Sequence, residues 1–134
     1  MSHYVNVKTQ IKDQAILVKA LVRMGFENKV EVHDTAQNLI GYQGDTRKQK
    51  ADVIIRRKHV GSASNDIGFE KQEDGFYRAH ISEYDSSIGY NDDWTKKLFT
   101  YYGVEAARAE AEREGLTCIE EKDEEDRIRL RVSF

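Results

Sequence analysis

The chain of 134 residues has no proline and a single cysteine, Cys118. One cysteine excludes an intramolecular disulfide and a thiolate metal cluster built from one chain, so packing must supply the stability. In Leu116-Thr117-Cys118-Ile119 it is expected to pack as a small hydrophobe. Without proline, the breaks between elements fall to the glycines and to clusters of polar residues. No run approaches the roughly 18 apolar residues of a membrane helix. The opening residues, Met1 to Lys8, lack a basic region followed by an apolar core, so a soluble chain without a visible address is expected.

Motifs of known chemistry are missing as well. Gly41 and Gly44 are not followed by the Lys-Ser/Thr of a phosphate loop. Ser62, Ser64, Ser82, Ser86 and Ser87 lie in no nucleophile-elbow sequence. His3, His33, His59 and His80 form no close pair with metal-ligand spacing. The expectation is therefore no catalytic site, no metal and no cofactor, with His3 tying down the opening strand.

The residues present describe one folded domain spanning 1–134. Hydrophobic residues make up 39% and charged residues 34%, but the apolar ones are grouped and periodic, unlike those of a disordered chain. Tyr4, Val5 and Val7 read as a short strand. Ile16, Leu17, Ala20, Leu21 and Met24 recur at three- and four-residue spacing, which predicts a helix from Asp13, its N-cap, to Gly25. Alternation predicts a strand over Lys29–His33 and a partner strand over 37–42. Ala51–Arg56 carries three consecutive β-branched residues and reads as a central strand. A loop is expected over His59–Asn65, a hairpin over 66–81 turning at Asp74-Gly75, and turns over 85–92. Asp92 or Asp93 should cap a second helix reaching about Arg113, with Gly103 as a kink or a point of close packing. Leu116–Glu121 and Arg127–Phe134 should close the chain as a hairpin, Arg127, Arg129 and Arg131 facing Glu120 or Glu121. The fold class is α+β: a mainly antiparallel sheet with both helices packed on one face.

Charge is close to balanced, with a net of −3, yet it is unevenly placed. Arg47, Lys48, Lys50, Arg56, Arg57 and Lys58 cluster with only Asp52 opposing them in sequence, and Tyr42 and Tyr77 could flank the patch. Those cations are candidate nucleic-acid contacts. Residues 105–126 form an acidic pole. Tyr84, Tyr90, Trp94, Tyr101 and Tyr102 gather around the second helix as a candidate interface, although the spacing of Trp94, Leu98 and Tyr101 also suits core packing.

Several stretches resemble a known family: Met1-Ser2-His3-Tyr4 with Lys8-Thr9-Gln10-Ile11, Leu17 to Phe26, Ala51-Asp52-Val53-Ile54, Asp66-Ile67-Gly68-Phe69, Gly75-Phe76-Tyr77, Tyr101-Tyr102, and Gly115-Leu116 through Ile128-Arg129-Leu130. The family is an uncharacterised one, found in cyanobacteria, in algal plastid genomes and in other bacteria, and is catalogued as a domain of unknown function. The resemblance implies a cytoplasmic protein, stromal if plastid-encoded, and no inherited activity. The leading expectation is a non-catalytic accessory or protein-interaction domain, with self-association through opposite charge poles as one mode. The alternative is a nucleic-acid-associated protein using the basic 47–59 segment. A small-ligand pocket around Tyr4, His80 and Tyr84 is a third expectation.

Overall fold

The computed structural model describes residues 3–134; the Met1-Ser2 part of the resemblance lies outside them. Five strands form one antiparallel sheet in the order β1-β5-β4-β3-β2: β1 Tyr4–Lys8, β2 Val30–Ile40, β3 Thr46–Ile55, β4 Ile67–Lys71 and β5 Tyr77–Ser82. Helices α1 Gln14–Leu21, α2 Arg57–Val60, α3 Glu83–Ser87 and α4 Asp92–Arg113 intervene, and β6 Thr117–Lys122 pairs with β7 Ile128–Ser133 as a separate hairpin. The fold is α+β, as the periodicities predict. Among the described residues, no helix is long and apolar enough to cross a membrane.

Helix α1 starts where the capping rule places it, with the Asp13 carboxylate accepting from the Ile16 amide at 3.0 Å. Its last turn widens into a π-turn over Val22–Phe26, and Gly25 takes φ +102°, turning Phe26 inward. Asn91, rather than either aspartate after it, caps α4, accepting from Asp93 and Trp94. The helix runs through Gly103 without a break, and a Cβ there would meet nothing within 4 Å, so close packing is not the reason for that glycine. The turn-like 85–92 region instead begins inside α3, which Ser82 caps.

Two expected strands prove to be one. Lys29–His33 and 37–42 do not pair with each other; they belong to the single strand β2, whose partner is β3. Asp34-Thr35-Ala36 offers no glycine for the left-handed positions of a tight hairpin turn, and the chain keeps its direction, with a register shift between Val32 and Gln37. The turn falls instead at Gly41–Gly44, and the polar run Thr46–Lys50 becomes the first half of β3.

That irregularity shapes the molecule. Val53 and Ile55 join Ile67, Phe69, Ala79 and Ile81 in the main core, together with Leu17, Ala20 and Leu21 of α1 and Leu98 of α4. Beyond the shift, the outer half of the β2–β3 hairpin crosses the other face of the sheet. There Leu39 and Ala51 cluster with Ile54 and Tyr4, over Gly68. Glycine is required beneath this arm: a Cβ on Gly68 would lie 2.5 Å from the Ala51 Cβ and 2.8 Å from Leu39 Cδ2.

The β6–β7 hairpin is tied to the helices by Arg23, whose guanidinium binds Glu120 at 2.6 and 3.0 Å and Glu105 at 3.3 Å. Among the anticipated cross-strand pairs, Arg131 reaches Glu121 at 2.9 Å, whereas Arg127 turns to Asp123 at 2.8 Å. Half-buried Cys118 lies on β6.

Gly68→Ala is expected to lower stability by about 1–3 kcal/mol through overpacking. In chemical denaturation the midpoint should fall with an unchanged slope, whereas an unaltered midpoint would mean that the arm does not press on this glycine.

Candidate functional site

The arm is held down by two residues that precede β4. Asp66, 1% exposed, uses both of its carboxylate oxygens. Its Oδ1 accepts from the Arg57 amide at 2.7 Å, and its Oδ2 accepts from the Ile40 amide at 2.7 Å and from Arg56 at 2.8 Å. Its backbone carbonyl takes the Tyr4 hydroxyl at 2.6 Å, and its amide donates to the Ile40 carbonyl at 3.0 Å. Asn65 grips the next residue of the arm: its Oδ1 accepts from the Tyr42 amide at 2.9 Å, while its side-chain amide donates to Ser82 at 2.9 Å. Ser82 donates to Asp85 Oδ2 at 2.7 Å, and the same oxygen accepts from the Asn65 amide at 3.0 Å. Asn65, Asp66, Ser82 and Asp85 thus form a buried polar seam joining the hairpin tip to the ends of β5 and β1. A buried carboxylate with this many donors holds its partners because any donor that left would expose an unpaired charge.

Arg56 also binds Glu31 at 3.0 Å, and Glu31 lies 2.9 Å from His33. The hydrogen bond from Arg56, helped by His33, holds the Glu31 carboxyl below the ordinary range; the same bond raises Arg56. Burial, and next the negative charge of Asp66, pushes the Tyr4 phenol well above the usual tyrosine range.

Between the arm and the segment leading to Asp66 opens a cleft of about 840 Å³. Gln37, Asn38, Ile40 and Thr46 line one wall; Arg56, Arg57, Lys58, Gly61, Ser62 and Asp66 line the other. The size is that of an ordinary ligand pocket. The predicted cations divide around it. Arg56 is turned into the ion pair with Asp66 and Glu31 and is not a free strand-borne charge. Arg57 gives one guanidinium nitrogen to the Tyr42 carbonyl at 3.1 Å, and Lys58 is exposed. Arg47 is half-buried, 5.0 Å over the Tyr4 ring and 3.8 Å from Asp45, while Lys48 and Lys50 are exposed. The opposition to this cluster therefore comes from Glu31, Asp45 and Asp66, distant in sequence or outside the run. Tyr42 is 39% exposed near Arg57, but Tyr77 is buried at 2% and flanks nothing.

The aromatic group is placed as follows. Tyr90 donates to the Val60 carbonyl at 2.9 Å and packs edge-on against Trp94, which meets Phe26 in the same way. Tyr101 lies beneath Arg23 and Lys97, and the Tyr102 hydroxyl accepts from the Lys12 and Asp13 amides. All four pack against the main core, and Tyr84 is exposed. In the third expected grouping, Tyr4 serves the seam, His80 sits 2.8 Å from Glu70, and Tyr84 faces solvent. Among the described residues, no three His, Cys, Asp or Glu side chains gather as metal ligands would.

Fold and site together define a small α+β protein whose folded-back hairpin borders an open polar cleft. The chain belongs to the family described as "Protein of unknown function (DUF1257)", whose model matches residues 20–131. No curated protein and no solved structure matches it. Sequence reasoning missed the seam, although the consecutive polar residues Ser64-Asn65-Asp66 directly before a fully apolar strand start were a legible signal.

Asp66→Ala should cost about 1–3 kcal/mol, since it leaves the Ile40 and Arg57 amides without their acceptor while Arg56 keeps Glu31; no loss, read from denaturant unfolding, would show that water replaces the carboxylate. Raised phenols favour the fold below the ordinary tyrosine range, and that contribution is lost as pH rises through their folded values. Stability should therefore decline above about pH 10, and Tyr4→Phe should flatten the decline by at most about 1.4 kcal/mol per pH unit. Tyr77 and Tyr90, also raised by burial, keep the remaining slope.

Proposed function

We propose that this protein is a non-catalytic accessory domain that acts by binding another macromolecule at the cleft under its hairpin arm. The observation that carries this reading is the division of labour among the charged groups. Asp66 is consumed in holding the arm, Asp85 binds Asn65 and Ser82 through one carboxylate oxygen, His80 lies against Glu70, and the exposed ends of Lys58 and Arg57 stand at the cleft. A surface of that kind supports recognition of an anionic partner, and a protein presenting an acidic segment is the leading reading. A cytoplasmic place of action belongs to the same proposal.

Association with nucleic acid is the second reading. It is favoured by Lys48 and Lys50, exposed on β3, the strand that also supplies Thr46 to the cleft wall. Capture from native extract separates the two. The folded full chain should retain specific partners that a Lys48→Ala, Lys50→Ala, Lys58→Ala variant does not. Partners surviving nuclease treatment support the protein reading; loss of all of them with nuclease supports the second. Identical capture by both chains would remove the cleft as the binding face.

A further inference from the structure

We infer that the cleft is a phosphate-binding site for a ligand of nucleotide size or longer. The inference rests on the reading of this cleft as a binding site for an anionic partner, and it names phosphate, in place of the carboxylates of an acidic segment, as the anion.

Three features carry it. The first is the cations of one wall, with Lys48 and Lys50 exposed on the strand that supplies Thr46 to the other. Along β3, Thr46, Lys48 and Lys50 are exposed while Arg47 and Gln49 are half-buried, and of these residues Thr46 lines the cleft. Arg57 and Lys58 stand on the opposite wall. Among the described residues, no carboxylate forms an ion pair with Lys48, Lys50, Arg57 or Lys58. Asp66, the acid of the lining, is neutralised by Arg56 at 2.8 Å.

The second feature is the mixture of neutral donors between those cations. Gln37 and Asn38 supply amides, and Thr46 and Ser62 supply hydroxyls. A carboxylate has two oxygens to share among such groups. A phosphate presents oxygens on several sides and carries more charge, which suits donors approaching from two walls. The third feature is space: about 840 Å³ exceeds what a bare phosphate fills, leaving room for the rest of a nucleotide or for a run of backbone. Tyr42, 39% exposed, is the residue whose carbonyl fixes Arg57, so an aromatic face stands near the cationic wall.

The arm makes the site depend on the fold. Ile40 and Tyr42 are pinned by Asp66 and Asn65, so the distance between the two walls is set by the buried seam. Preorganised donors lose little freedom when a ligand arrives.

The test uses the purified full chain at low salt with four probes: pyrophosphate, adenosine triphosphate, a short single-stranded RNA of mixed sequence, and a glutamate-rich peptide. The triphosphate or the RNA should bind, and Lys48→Ala, Lys50→Ala, Lys58→Ala together should weaken binding at least about tenfold. The same three positions changed to Arg should retain it. The logarithmic salt dependence should become shallower by about 0.7 to 0.9 for each phosphate contact removed. Binding of triphosphate and RNA alike identifies a free nucleotide as the source; binding of RNA alone identifies a polymer. The inference is overturned if no phosphate-bearing probe binds, or if the alanine variant binds as tightly as the parent chain. Binding of the peptide alone, lost in the alanine variant, would also overturn it while leaving the accessory-domain reading intact. Phosphate binding without any captured macromolecule would have the opposite consequence.

Discussion

A single carboxylate buried before β4 determines how the two halves of this structure meet. A carboxylate buried at Asp66 needs donors around it, and they come from three places: the arm amide of Ile40, the amide of Arg57, and the guanidinium of Arg56. Satisfying one group therefore brings a β-hairpin tip, a single-turn helix and the end of a central strand to one point. Asn65 repeats the logic with a neutral amide, joining Tyr42 to Ser82. The cost of an unpaired buried group is what makes the arrangement specific, since apolar contact alone would tolerate sliding of the arm.

Sliding is opposed from below as well. Leu39 and Ala51 rest on Gly68, where the absence of a side chain lets the arm approach the sheet. Polar bonds at the tip and close packing at the middle thus fix the same hairpin at two points along its length. The consequence is a pinned wall facing Arg57 and Lys58. The cleft is a by-product of bending a long hairpin over the sheet, and its charge comes from residues that the seam leaves over.

Legibility varied with how local the cause was. The Asp13 cap, the Ile16–Leu21 stripe and the turn at Gly75 are decided within a few residues, and the sequence pattern places them closely. The division of β2 into two strands failed because a change of alternation near Asp34 looks the same whether the chain turns or merely shifts register. At the candidate site, the basic run was visible as composition. Its sorting into Arg56, turned inward, and Lys58, left outside, was not, since Glu31 and Asp66 lie far from it or beyond its end. Trp94 and Tyr101 were readable as core from helical spacing, whereas the partners of Tyr90 and Tyr102, a carbonyl at Val60 and amides at Lys12 and Asp13, come from remote segments.

By itself the sequence determined an α+β chain without disulfide or membrane helix, two amphipathic helices, strands of known polarity and a cluster of cations between Arg47 and Lys58. Periodicity and capping are short-range effects, so one strand of text records them. Only the tertiary structure decided that Arg56, Arg57 and Lys58 border a cleft, that Asp66 and Asn65 clamp its wall, and that Gly68 must be small. Those outcomes depend on which distant groups satisfy one another once water has been excluded, and hydrogen-bond partnership across tens of residues has no local signature.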